Sequence, residues 1–319
     1  MIKRNGKIIV FRHNDMDGFA SAAEVMYFTG TDYEADLDKY IELTHDKESD
    51  GAKFKEVINT ADPDTTIYIV DYSFTEDTYQ RLEALLKKGH PVVWIDHHDS
   101  SLELIKKHPE FAPNRSDYNI KGIVSKDGSG AYLTWRYFNP DKDAPEFIKL
   151  VSDYDTFTNK MPDSAFFKLG VDVYLNSKRE MDKYNVFISQ LRRLNYNALG
   201  HNILTTDGLN LIVKGKIIKE YIDGDNNFHI HSYGYESQLE DGTKIYCINR
   251  ESNSWVFCEF YEKYDAVVLY YFDGENYKYS MYSHDKVYDC GKYAESKGGG
   301  GHRGASGWQS KELMFKKIN

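Results

Sequence analysis

Short apolar runs alternate with amphipathic stretches through the first part of the chain. Lys7-Ile8-Ile9-Val10-Phe11 precedes a small-residue helical stretch over residues 18–28. Thr66-Ile67-Tyr68-Ile69-Val70 precedes a helical pattern over 75–88 that stops at Gly89, and Pro91-Val92-Val93-Trp94-Ile95 forms a third run. Apolar runs of this length, unbroken by polar residues and separated by helices, predict strands of a parallel sheet covered on both faces. Residues 37–59 are ambiguous, and a further strand and helix are expected there. Helical patterns follow over 130–138, 144–154 and 180–199.

Residues 200–226 read as a connection with one helix in it, and the turn cluster Gly224-Asp225-Asn226-Asn227 marks a domain edge. Beyond that edge the composition shifts. Tyr, Phe and Val runs at 244–248, 255–261, 266–272 and 277–282 are separated by turn signals such as Asp273-Gly274, and a helical pattern covers 289–296. The expected fold class is α/β. A Rossmann-like parallel-sheet domain would occupy residues 1–199, a linker with a helix 200–226, and a smaller mixed α/β domain 227–319. The length of 319 residues agrees with two domains at about 100–200 residues each.

Composition narrows the class of ligand. Forty Lys and Arg against 50 Asp and Glu leave a charge of −10. Long duplex nucleic acid needs a basic surface, so it is not the expected ligand. The C-terminal stretch, with acidic residues also in excess, offers no basic channel. A short phosphate ester stays compatible if cations held by acidic residues supply the positive charge. No run approaches the roughly 18 apolar residues of a membrane span, and the apolar run at the N-terminus is too short for a signal peptide. Three scattered cysteines (Cys247, Cys258, Cys290) build neither a disulfide framework nor a zinc cage. The expected location is the reducing cytoplasm.

Candidate chemistry collects where the predicted strands end. Arg12-His13-Asn14-Asp15-Met16-Asp17-Gly18 follows the first run, Asp71-Tyr72-Ser73 the second, and Asp96-His97-His98-Asp99 the third. In an open parallel sheet ligands bind beyond the carboxyl ends of the strands, so three strands would deliver Asp and His to one edge. Any one cluster is equally well read as turn and helix-capping residues. Three such clusters of the same composition, all at strand ends, favour a site. Crowded carboxylates repel one another unless cations are present. Several Asp with a few neutral His suit an oxygen-preferring divalent ion that tolerates imidazole, which favours Mn²⁺ over Zn²⁺. Two such ions would activate water and neutralise charge on a phosphoryl group, the chemistry of phosphoester hydrolysis.

Asp96-His97-His98 after an apolar strand, with His13-x-Asp15-x-Asp17-Gly18 upstream and Asp71 between them, resembles the DHH phosphoesterase superfamily. Its members include RecJ-type exonucleases, nanoRNases and 3′-phosphoadenosine 5′-phosphate (pAp) phosphatases, cyclic-dinucleotide phosphodiesterases and type II pyrophosphatases. The segment Gly298-Gly299-Gly300-Gly301-His302-Arg303 is similar to the GGGH signature of the DHH-associated C-terminal domain. The resemblance implies metal roles for His13, Asp15, Asp17, Asp71, His97 and a fourth-motif Asp, with Asp71 bridging two Mn²⁺ ions for which Mg²⁺ or Co²⁺ could substitute. Leu150-Val151-Ser152-Asp153 is the best match to the fourth motif, and Asp155 is the weaker candidate. His98 would contact the scissile phosphate or assist the leaving group, and Asp96 would orient a neighbouring His. Asp71, His97 and His98 would therefore carry the catalysis.

Gly299, Gly300, Gly301, His302 and Arg303 would cradle the substrate's phosphate and base. Relatives often carry an Arg within a segment that matches Ser280-Met281-Tyr282-Ser283 here, where Tyr282 stands in its place and suggests base stacking. Gly128-Ser129-Gly130-Ala131 reads equally as an anion site at a helix N-terminus or as a plain cap. His229-x-His231 would set two imidazoles on one face of a strand, most simply by chance. The activity so implied is a Mn²⁺-dependent phosphodiesterase that cleaves short oligonucleotides or dinucleotides to mononucleotides. The alternatives are a pAp phosphatase, a cyclic or linear dinucleotide phosphodiesterase, or a catalytically silent nucleotide-binding protein on the same fold. No membrane partner is expected, and the oligomeric state, a homodimer included, is left open.

Overall fold

The computed structural model describes residues 7–31, 36, 39–115, 118–196 and 202–318. It divides into two compact units, Met1–Ile217 and Ile218–Asn319. In the first, strand β1 (Ile8–His13) runs into helix α1 (Met16–Thr29), followed by β2 (Tyr40–Leu43) and α2 (Lys47–Thr60). Then come β3 (Thr66–Val70), α3 (Gln80–Lys87), β4 (Val92–Asp96), α4 (Asp99–Lys107) and β5 (Ile120–Val124). The strands pair in the order β2-β1-β3-β4-β5, and every pairing is parallel. This is a doubly wound α/β sheet whose strand order reverses between β1 and β3.

Helices cover both faces, which is why the strands show no polar alternation. Val10, Val70, Val93 and Ile95 face a core shared with α1 and with the four helices that follow the sheet. These are α5 (Gly130–Phe138), α6 (Glu146–Asp155), α7 (Ser164–Leu175) and α8 (Glu180–Arg192). Phe11, Ile67, Ile69, Val92 and Trp94 face the opposite core with Phe54, Leu82 and Leu104 from α2, α3 and α4. Strand β5 has no counterpart among the predicted runs because Lys121 and Gly122 interrupt its apolar sequence. Helix α8 ends short of the predicted stretch and leads into β6 (Asn195–Tyr196), which pairs with β7 (Asn202–Ile203). The 199/200 boundary lies outside the described residues.

The two units divide inside one helix, α9 (Thr206–Tyr233). Gly224-Asp225-Asn226-Asn227, expected to be a turn, is helical. A helix-interior glycine costs only about 1 kcal/mol, and Asn226 and Ile230 are buried within the second unit, which holds the helix in place. Asp225 also pairs with Arg250. His229 and His231 therefore share no strand face. The His229 ring lies 2.8 Å from the Asp225 carbonyl, and His231 is 3.2 Å from Glu259.

The second unit continues with β8 (Tyr235–Gln238), β9 (Lys244–Asn249), α10 (Phe260–Lys263), β10 (Ala266–Phe272) and β11 (Tyr277–Tyr282). It closes with α11 (Cys290–Ser296), β12 (Gly300–His302) and β13 (Ala305–Ser310). Its sheet runs β12-β13-β11-β10-β9-β8 and is mixed, since β9 and β10 are parallel and the other pairs antiparallel. The apolar run 255–261 is not a strand. Ser254–Phe257 forms a 3₁₀ turn, capped by the Asn253 side chain accepting from the Trp255 amide, and Val256 and Phe257 insert under the sheet beside Ile248 and Leu269. A short buried apolar segment has no periodicity that would distinguish this from a strand. Among the described residues, no helix is long and apolar enough to cross a membrane.

Candidate metal centre

Each cluster singled out in the sequence stands at the carboxyl end of a strand, around the β1/β3 reversal. Asp15 caps α1, its Oδ1 accepting from the Gly18 amide at 2.9 Å, while its Oδ2 lies 2.8 Å from His13 Nδ1. Asp17 lies just inside the helix and is buried. Its Oδ1 accepts from the Ser129 hydroxyl at 2.6 Å and the Ala131 amide at 3.0 Å, and its Oδ2 accepts from the Gly130 amide at 2.6 Å. The anion at the N-terminus of α5 is thus a protein carboxylate. Gly130 is needed for this approach, because a Cβ there would fall 2.7 Å from Asp71 Cβ and 2.9 Å from Asp17 Oδ2. Asp71 follows β3 in a left-handed backbone conformation with φ 53°.

His97 joins these carboxylates. Its Nε2 lies 3.3 Å from Asp71 Oδ1, 3.2 Å from Asp155 Oδ2 and 3.9 Å from Asp17 Oδ2. Ligand-capable atoms of His13, Asp15 and Asp71 lie within 4.8 Å of one another, and so do those of Asp17, His97 and Asp155, and of Asp71, His97 and His98. The first two groups have no member in common, and the third links them. Asp71 Oδ2 and Asp155 Oδ2 are buried without a hydrogen-bond partner, the latter despite its nearness to His97. Buried, unpaired carboxylate oxygens are costly, and crowded Asp and His oxygens and nitrogens are the donor set that divalent ions take. The residues fit such ions.

The charges reflect the same crowding. Burial, with the neighbouring Asp17 and Asp15 charges, lifts the Asp71 carboxyl well above its ordinary range. Burial also raises Asp17, and pushes Asp155 up to about 8 with help from Asp17 and Asp15. Burial opposes ionisation of Asp15 too, but the His13 hydrogen bond and charge outweigh it and hold this carboxyl at about 2. His98 Nδ1 donates to Asp96 Oδ1 at 2.7 Å, and Ser101 donates to the other Asp96 oxygen. Burial lowers His97; in His98 it is outweighed by the Asp96 hydrogen bond, which raises the imidazole.

Residues 7–155 match the family profile described as DHH family, N-terminal domain. The segment is a DHH domain. The match covers just under half of the chain. An uncharacterized protein of Acanthamoeba polyphaga mimivirus is 26% identical over 313 residues, covering 94% of this chain and 66% of that protein. The chain thus spans just under two thirds of that relative. The pGpG-specific phosphodiesterase PggH of Vibrio cholerae has a similar fold, with a TM-score of 0.51, 13% identity, and coverage of 95% of this chain and 92% of that one. The DHH domain of a protein assigned to a family of ribosomal proteins is similar at a TM-score of 0.50 and 15% identity, covering 95% of this chain and 82% of that one.

One of the residues expected to hold metal lies elsewhere in the DHH domain. Asp153 does not reach the cluster. Its Oδ1 accepts from Thr158 Oγ1 at 2.6 Å and the Lys160 amide at 2.8 Å, and its Oδ2 from the Met161 amide at 3.2 Å, so it organises the loop after α6. Asp155, expected as the weaker candidate, takes the place beside His97. Two residues on a helix are about 200° apart, so only one of the pair can face the sheet edge. One further residue at this edge, His45, was not singled out, although its position directly after the Thr44 that follows β2 obeys the same strand-end rule. Its ring lies 4.8 Å from that of His13 and 6.2 Å from that of His98.

In the second unit the glycine run becomes the edge strand β12. Gly299 and Gly301 pack against β13, where a Cβ would fall 2.1 Å from the Gly307 carbonyl oxygen or 2.5 Å from Ser306 Cα; Gly301 has φ 144° as well. Gly300 has open space around its Cα. His302 and Arg303 are exposed, and Arg303 Nε donates to the Lys286 carbonyl at 2.9 Å. Tyr282 is partly buried against the core that holds Val267 and Leu269.

Proposed function

We propose that the chain is a two-ion, Mn²⁺-dependent phosphodiesterase that hydrolyses short oligonucleotides or dinucleotides to mononucleotides. The observation that carries the reading is the pair of separate ligand groups, His13/Asp15/Asp71 and Asp17/His97/Asp155, joined through Asp71 and His97. Divalent ions held there would supply Lewis acidity toward a phosphoryl group and a nucleophile from water. The chain's own residues do the rest. Asp96 fixes the His98 ring with its Nε2 available to donate to a phosphoryl or leaving-group oxygen. Ser129, Gly130 and Ala131 lock Asp17 in place. Exposed His302 and Arg303 offer donors to a terminal phosphate or base.

The preference for short substrates rests on charge. The chain carries −10 overall, and the stretch from Asp225 onward holds 14 acidic against 11 basic side chains. That balance does not favour a long polyanion. PggH shows that this fold accommodates a phosphodiesterase specific for pGpG. The test is a substrate panel with Mn²⁺: RNA and DNA from dimers to about 20-mers, linear and cyclic dinucleotides, and pAp. A steep fall in rate beyond a few nucleotides is expected. Equal cleavage of long strands would overturn the short-substrate reading, and failure to take up Mn²⁺ would overturn the two-ion site.

A further inference from the structure

We propose that His45 is a substrate-contact residue whose imidazole donates a hydrogen bond to a phosphate-ester oxygen at the rim of the metal centre. This rests on the phosphoesterase reading and extends it to a residue outside the ligand groups. The ring is exposed, yet its position is fixed. It stacks on the Tyr72 ring at 4.7 Å between centroids and 9° between planes, and Tyr72 is itself buried, its hydroxyl donating to Asp50 Oδ2 at 3.2 Å and accepting from Arg81 at 3.2 Å. His45 also lies beside His13 and His98, the two imidazoles at the outer side of the cluster.

Three further facts exclude the simpler roles. His45 belongs to none of the ligand groupings, so its nitrogens are not placed to hold an ion with the carboxylates. Among the described residues it makes ring contacts only, with no hydrogen bond to either nitrogen, so it does not brace the fold through a polar contact. Its backbone is left-handed with φ 61°, a conformation that residues other than glycine seldom adopt. A strained residue with a clamped ring and unused donors, next to a phosphoryl-binding centre, matches what a ligand contact requires. A neutral imidazole with one N–H is sufficient, so the role needs no particular protonation state.

The test uses the full chain loaded with Mn²⁺ and the variants H45G and H45N. Glycine removes the ring at a backbone angle it adopts freely, and asparagine tolerates the same angle while retaining a side-chain N–H. Two readouts are taken: affinity for inorganic phosphate by calorimetry, and kcat and KM on a dinucleotide. H45G should bind phosphate and turn over the dinucleotide about 10- to 100-fold less well, the range for losing one hydrogen bond to a charged group. Mn²⁺ content should be unchanged and H45N should recover part of the loss. Wild-type phosphate affinity in H45G would overturn the proposal, as would loss of Mn²⁺ from H45G, which would make His45 a ligand. If the wild type hydrolyses nothing, the phosphoesterase reading fails, and phosphate affinity still decides on His45.

Discussion

The exchange of Asp153 for Asp155 beside His97 makes opposite predictions for stability and metal binding at two residues of one helix. Asp153→Ala removes the acceptor of three hydrogen bonds, from Thr158, Lys160 and Met161, and leaves the two backbone amides without partners. At about 1 kcal/mol per bond, and more for a charged acceptor, the loss is roughly 2–4 kcal/mol. For a unit of this size that is roughly 5–15 °C in melting temperature. Mn²⁺ binding should persist in the folded protein. Asp155→Asn does the reverse. It removes a carboxyl that burial, Asp17 and Asp15 push up to about 8, so above that pH the metal-free variant should melt higher than the wild type, while its Mn²⁺ stoichiometry falls. Melts in EDTA at about pH 9 and Mn²⁺ titrations at about pH 7, on either side of that value, read both effects. The reasoning is refuted if D153A loses Mn²⁺ while melting like the wild type, or if D155N binds both ions normally.

Three further outcomes follow from the same geometry. Because Asp155 is raised from an unfolded value near 3.8 to about 8 in the fold, the folded state holds a proton that the unfolded state has released. Metal-free stability should therefore fall as pH rises from about 7 to about 9; denaturant midpoints in EDTA should show this, and a rise over that interval would contradict it. D71N should abolish Mn²⁺-dependent turnover without lowering the metal-free melting temperature, since asparagine tolerates the left-handed backbone at this position and replaces a buried carboxyl whose Oδ2 has no partner; wild-type rates would remove Asp71 from the site. H302A, at an exposed position of β12, should leave the melt and Mn²⁺ binding unchanged while raising KM for a dinucleotide, and an unchanged KM would remove His302 from substrate binding.

Legibility in the sequence followed the strength of the physical signal. Strands β1, β3 and β4 are covered on both faces, so their apolar runs are unbroken and their ends could be located. That placed Asp15, Asp17, Asp71, His97 and His98 at one edge. Strand β5 was hidden because an edge strand tolerates Lys121, and Gly122 fits close to the Trp94 backbone. The polar cluster at 224–227 looked like a turn because local propensity cannot register the burial of Asn226 and Ile230. The run at 255–261 looked like a strand because burial alone sets its composition. The choice between Asp153 and Asp155 needed the rotation of α6 about its axis, which a four-residue motif does not contain. His45 was missed for want of a firm end to β2.

The grip of α5 on Asp17 has a consequence for how that carboxylate can serve an ion. Two donors occupy Oδ1, and the Gly130 amide takes one side of Oδ2. Asp17 would therefore have only Oδ2 free to offer an ion. A six-coordinate ion drawing one oxygen from Asp17, with His97 and Asp155 beside it, would have vacant positions left for exchangeable oxygens. The hydrogen-bond network that looks like scaffolding thus sets how many oxygens Asp17 could offer an ion.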